Sequence, residues 1–122
     1  MKGLRIVLFV LAVYIMILGL MFLFAPAAAE TAFKMSLTDP ALTLDYGQVL
    51  LVVALMAFLV ASDMEKHIKL VWAFIFGQIG HILVFGTQLG TGIATFTQVG
   101  PPLIVAIIFL VLLVVFYRKA TS

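Results

Sequence analysis

Long apolar runs broken by short polar or proline-bearing stretches dominate the chain, and they predict four membrane-crossing helices. The runs Ile6–Phe24, Pro40–Ser62, Leu70–Leu89 and Pro101–Tyr117 each approach the roughly 20 residues needed to cross about 30 Å of hydrocarbon. With their flanks they give helices over about 4–25, 40–62, 63–90 and 101–118 in a single unit covering 1–122. The expected fold is an all-α, antiparallel bundle of four transmembrane helices. Between Leu70 and Tyr117 no charge interrupts the apolar pattern, so the Gly90–Pro102 stretch alone divides the last two spans.

The breaks carry their own signals. Asp39 can cap the second span, and Pro40 suits a first helical position, where its missing N–H costs nothing. Ser62-Asp63-Met64-Glu65 fits a capping box in which Ser62 caps the third span and Glu65 reaches back. The second and third spans would then form a tight hairpin and be neighbours. Gly100-Pro101-Pro102 is expected to open the fourth span by the same proline logic. After Ala25-Pro26, the stretch Ala27–Met35 fits either a short surface helix dipping Phe33 and Met35 into lipid or a plain loop.

Composition agrees with this class: of 122 residues, 66% are hydrophobic and 10% charged, far from the balance of a water-soluble domain. The net charge of +2 is small, and its placement argues for topology and anionic-lipid contact over nucleic-acid binding. Lys2, Arg5, Lys66, Lys69, Arg118 and Lys119 fall on one side of a four-span threading, with Lys34 alone opposite, beside Glu30, Asp39 and Asp45. This bias predicts a multi-pass protein of the cell inner membrane with both termini cytoplasmic. The basic start and Ala27-Ala28-Ala29 imitate a secretory signal, but the first apolar run exceeds a usual signal core, so a retained first helix is expected. Cysteine is absent, which removes disulfide, thiolate-metal and thiol chemistry.

Few polar residues enter the spans. Trp72 and Tyr117 belong near an interface, and Gly77, Gly80, Gly86 and Gly90 are expected to let the third span approach a neighbour. Tyr14, midway along the first span, needs a hydrogen-bond partner or a cavity. Asp45 with Gln48, and Gln78 with His81, are pairs spaced three apart, each on one helix face. At 1.5 Å per residue the first pair lies roughly 7 and 12 Å below its helix end, and His81 and Gln78 roughly 12 and 16 Å below theirs. Two readings follow. The pairs form interhelical hydrogen bonds that fix register, or they line an outward-facing polar pocket with Tyr14. Asp45 beside His81 would make a candidate proton-transfer pair.

Metal binding finds no ligand spacing: His67 and His81 are about 21 Å apart along one helix. Haem ligation by His81 with Met16 or Met56 is conceivable, but methionines in apolar helices are mostly packing residues. The cofactor is left undefined. Phosphate loops and nucleophile elbows are missing.

Gly19-Leu20-Met21-Phe22-Leu23-Phe24-Ala25-Pro26, Asp45-Tyr46-Gly47-Gln48 and Phe76-Gly77-Gln78-Ile79-Gly80-His81 together resemble the DoxX-like group of small four-helix bacterial membrane proteins. Where such relatives often place an arginine in the third helix this chain has His81, and Asp45 falls near another commonly basic position. The resemblance implies a four-helix bundle and quinone- or lipid-related roles without a defined reaction.

The leading expectation is therefore a non-enzymatic membrane protein that binds a small apolar ligand, lipid or quinone-like, or serves as an accessory subunit of a membrane complex or homo-oligomer. Its candidate ligand-binding residues are Tyr14, Asp45, Gln48, Gln78 and His81. The alternative is an intramembrane isomerase or oxidoreductase acting on a lipid or quinone through His81 and Asp45. A transporter is a third reading, disfavoured without an internal repeat or broken helices but open to a symmetric dimer.

Overall fold

The computed structural model describes residues 1–34 and 37–122 and is helical almost throughout. Helix α1 spans Lys2–Phe24, α2 Pro26–Phe33, α3 Pro40–Ser62, α4 Met64–His67, α5 Val71–Gly90 and α6 Phe96–Thr121, with a 3₁₀ turn at Ile68–Leu70. Four helical stretches are long and apolar enough to cross a membrane: α1, α3, Met64–Gly90 and α6. The all-α, four-helix architecture follows.

On α1 the buried positions Leu4, Val7, Leu8, Leu11, Ala12, Ile15, Gly19 and Phe22 recur at three- and four-residue steps and form one stripe. The opposite side is equally apolar but exposed, with Ile6 and Val10 each 54% accessible. A helix that is apolar all round suits a lipid surround, where its outer face meets hydrocarbon. The bundle is thus a small membrane protein.

Around the bundle the order is α3, α1, α6, α5. Helix α3 lies along α1 and α5 lies along α6, with α1 and α6 joining the two pairs. The closest approach is between α1 and α3, where a Cβ built on Gly19 would lie 3.0 Å from the Gly47 carbonyl oxygen, and the reverse distance is the same. Small residues allow such backbone proximity without steric conflict. The glycines of α5 have a different role. A Cβ on Gly77, Gly80, Gly86 or Gly90 would meet nothing within 4 Å, so the expected close packing there is not found.

Nor do α3 and α5 pack as the neighbours a tight hairpin requires; they scarcely touch. Their connector is longer than a two-residue turn, because α4 and the 3₁₀ turn carry the chain sideways before α5 begins. Met64, fully buried, pins this connector to the core. The cap also differs from expectation. The Asp63 carboxylate accepts from the Lys66 N–H at 3.4 Å, whereas the Ser62 hydroxyl turns back to the Leu59 carbonyl at 2.7 Å. Asp is as good a cap as Ser, and here the helix starts one residue later.

Helix α6 begins five residues before Pro101. Thr95 and Gln98 form a complete capping box, with the Thr95 N–H donating to Gln98 Oε1 at 3.0 Å. Pro101 and Pro102 consequently lie inside the helix, leaving the carbonyls of Thr97 and Gln98 without their usual N–H partners. A positive φ of 75° at Gly92 supplies the turn from α5 into α6.

At the opposite end of α3 the Asp39 carboxylate accepts from the N–H groups of Ala41 and Leu42, with Pro40 following it, as expected from the sequence. The stretch after Ala25 is helical from Pro26, and Phe33 stacks on Phe22 with rings 3° from parallel. Phe33 therefore faces the bundle and not lipid; Met35 lies outside the described residues. Gln98 Nε2 donates to the Lys34 carbonyl at 2.9 Å, and Glu30 Oε1 accepts from the Leu37 N–H at 2.8 Å. These two bonds tie the α2 end of the bundle together.

Candidate functional site

Because α3 and α5 stand apart, the bundle encloses a cavity of about 440 Å³ between them. Its floor comes from α1 and α6, through residues such as Leu11, Ile15 and Ala106, which are buried. Its rims come from α3 and α5, through Val49, Met56, Ala73 and Gly77, which are accessible. The opening therefore faces sideways, between α3 and α5. At the α2 end, Phe33 forms part of the wall.

Helix periodicity decides which side chains reach it. On α3, Tyr46, Val49, Val53 and Met56 recur at three- and four-residue steps and face the cavity. On α5 the equivalent row is Phe74, Gln78, His81 and Phe85. Tyr14 enters from α1 and packs against Phe109, ring centroids 5.8 Å apart. His81 stacks on Phe85, one turn further along α5, at 5.8 Å and 10° between planes.

Of the five residues singled out from the sequence, Tyr14, Gln78 and His81 line this cavity. Asp45 and Gln48 do not; both are exposed on α3 and lie outside the cavity wall. Each is one residue, about 100° of helix rotation, from a cavity-facing position. Tyr46 and Val49 occupy those positions instead. Tyr46 is the polar residue that sequence reasoning passed over. Its ring meets that of Phe22 edge to face at 5.2 Å.

Gln78 is 7% accessible, and among the described residues its side chain has no hydrogen-bond partner. Yet no buried side-chain nitrogen or oxygen there is sealed off without a partner. Both statements hold only if the Gln78 amide fronts the cavity, where it has space but no protein group to bond. An amide that fronts an apolar cavity without a partner leaves unmade a hydrogen bond worth about 0.5–1.5 kcal/mol, which a hydroxyl or carbonyl placed there could form.

The polar set is thus two phenols, one imidazole and one amide set in an otherwise apolar wall. Among the described residues no Lys, Arg, Asp or Glu lines the cavity, and no three His, Asp or Glu side chains gather to hold a metal. Met56 shares the cavity with His81 and Met16 does not, but the wall offers no cation to receive the carboxylates of a haem. Such an arrangement can orient a mostly apolar guest by a few hydrogen bonds.

A second space of about 220 Å³ continues the α3–α5 gap towards the connector. It is lined by Leu59, Val60, His67 and Leu70, and shares Met56, Ala73 and Phe74 with the larger cavity. Near the same end, Trp72 Nε1 donates to the Tyr117 hydroxyl at 3.0 Å, with the rings edge to face at 5.3 Å. The pair joins α5 to α6 where amphipathic rings were expected.

Fold and cavity together define a small four-helix membrane protein with a laterally open, mostly apolar chamber. Comparisons with protein-family models, curated proteins and solved structures find no match.

Proposed function

We propose that the protein binds a small, largely apolar molecule of lipid- or quinone-like character, taken from the bilayer through the gap between α3 and α5. The observation that carries this reading is Gln78, a buried residue whose amide has no partner among the described residues and fronts a chamber large enough for a guest. Tyr14, Tyr46 and His81 on the same wall support it. A pocket of this kind fits a binding protein better than a tightly packed accessory subunit. Asp45 lies outside the cavity wall, which weighs against the Asp45–His81 pair as acid and base.

The same proposal places the protein in the cell inner membrane with both termini cytoplasmic, on the strength of the six-to-one bias of basic residues. It retains the DoxX-like likeness as the class to which the chain is compared. Purification in mild detergent followed by native mass spectrometry tests it. A bound small molecule is expected on the wild-type protein and is expected to be depleted in Gln78→Leu. A chain that retains nothing would overturn the binding reading.

A further inference from the structure

We infer that the guest is an uncharged amphiphile, with a hydroxyl or carbonyl head at Gln78 and an apolar tail lying in the gap towards His67. This inference rests on the binding reading above.

The head must be uncharged because of what surrounds it. At 1.5 Å per residue, Tyr46 is about 9 Å from the start of α3, and Gln78 about 18 Å from the end of α5. Within about 30 Å of hydrocarbon, these depths run from the outer third to the middle. Among the described residues the wall supplies no Lys, Arg, Asp or Glu, and His81 is its one ionisable group besides the phenols. A phosphate or carboxylate drawn to this depth would be a charge without a counter-ion, the most heavily penalised arrangement in a membrane. A hydroxyl or carbonyl suits the site, because the Gln78 amide both donates and accepts, as do the phenols.

The tail follows from the shape. Met56, Ala73 and Phe74 line both spaces, so the two abut there, and a guest that spans both passes this neck. Beyond the neck the lining is apolar until His67, and it offers a second polar head nothing but that one imidazole. A single molecule with one polar end and one hydrocarbon end fills both. With its head at Gln78 near the middle of the bilayer, its tail lies in the half on the connector side, towards His67.

The test uses the whole protein in phosphatidylcholine vesicles and three photo-crosslinking probes carrying the same diazirine-bearing chain: a long-chain alcohol, the matching fatty acid at alkaline pH, and a phosphatidylglycerol. The alcohol is expected to label α3 and α5 around Met56 and Phe74, and the two anionic probes to label there at least about tenfold less. Gln78→Leu should lower alcohol labelling about fivefold, and Ala73→Phe, which fills the neck, should abolish it there. Equal labelling of the neck by an anionic probe would overturn the inference and leave the binding reading standing. Undiminished labelling in Ala73→Phe would overturn the placement of the tail. If no probe labels the neck above the level at lipid-exposed Val111, the binding reading itself fails.

Discussion

Gly19 and Gly47 face each other across α1 and α3 so closely that a Cβ on either would lie 3.0 Å from the other's carbonyl oxygen. That contact can be relieved only by moving backbone. Gly47→Ala is therefore expected to destabilise the fold by about 1–3 kcal/mol, as overpacking of a tight interface does. Gly80→Ala and Gly86→Ala, where the new methyl meets open space, should be neutral or stabilising by up to about 1 kcal/mol. Thermal unfolding of the three variants in detergent checks the contrast, and equal losses in all three would contradict it.

Gln78→Leu should separate binding from stability. The side chain has no protein partner among the described residues, so an apolar replacement of similar size leaves no group newly orphaned. The melting temperature of ligand-free protein should stay put or rise slightly, while retention of the proposed guest falls. A lower melting temperature in the ligand-free state would mean that the amide does a structural job.

The bond from Trp72 to Tyr117 holds α5 against α6 at an exposed end. Tyr117→Phe should lose about 0.5–1.5 kcal/mol, towards the lower end because water can substitute there. Trp72→Phe removes the same bond and also part of the edge-to-face contact. In a double-mutant cycle the two losses should be less than additive; strict additivity would show that the bond contributes nothing.

Gln98 serves two elements, since its oxygen completes the cap of α6 and its nitrogen holds the Lys34 carbonyl. Gln98→Ala should cost more than Thr95→Ala, whose cap loss alone is about 0.5–2 kcal/mol. Hydrogen exchange should quicken at both the start of α6 and the end of α2 in Gln98→Ala, but only at α6 in Thr95→Ala.

The natural absence of cysteine makes orientation directly testable. Single cysteines at Thr38 and Thr91 should react with a membrane-impermeant maleimide added outside intact cells. Cysteines at Ser62 and Ser122 should react only after the membrane is opened. The reverse pattern would place both termini outside.

Which stretches cross the membrane was legible from hydropathy, and Asp39-Pro40 marked the start of α3 correctly. What the pattern did not reveal was rotation about each helix axis. A soluble helix announces its inward face by contrast with a polar one; α3 is apolar on nearly every side, so the eye falls on Asp45 and Gln48 because they are polar. Those residues lie on the same face as Val52, Leu55 and Leu59, all exposed, while Tyr46, also exposed, sits on the α3 rim of the cavity. The glycines of α5 misled for a related reason: small residues mark either close packing or an open wall, and composition does not say which. The start of α6 was a conflict between two true signals. The Thr95–Gln98 box prevailed because it satisfies free N–H groups, whereas Pro101 and Pro102 cost the helix only the usual partners of two carbonyls, those of Thr97 and Gln98.

The chamber opens to the side, with Phe33 in its wall at the α2 end, and this changes what affinity would mean for the guest proposed above. A ligand arriving from the bilayer leaves one hydrocarbon surround for another, so the apolar wall contributes little driving force. Preference then falls to the amide, where a net hydrogen bond of about 1 kcal/mol favours a matching guest about fivefold over plain hydrocarbon. Occupancy would follow the mole fraction of the guest among membrane lipids, and its concentration in water would hardly matter.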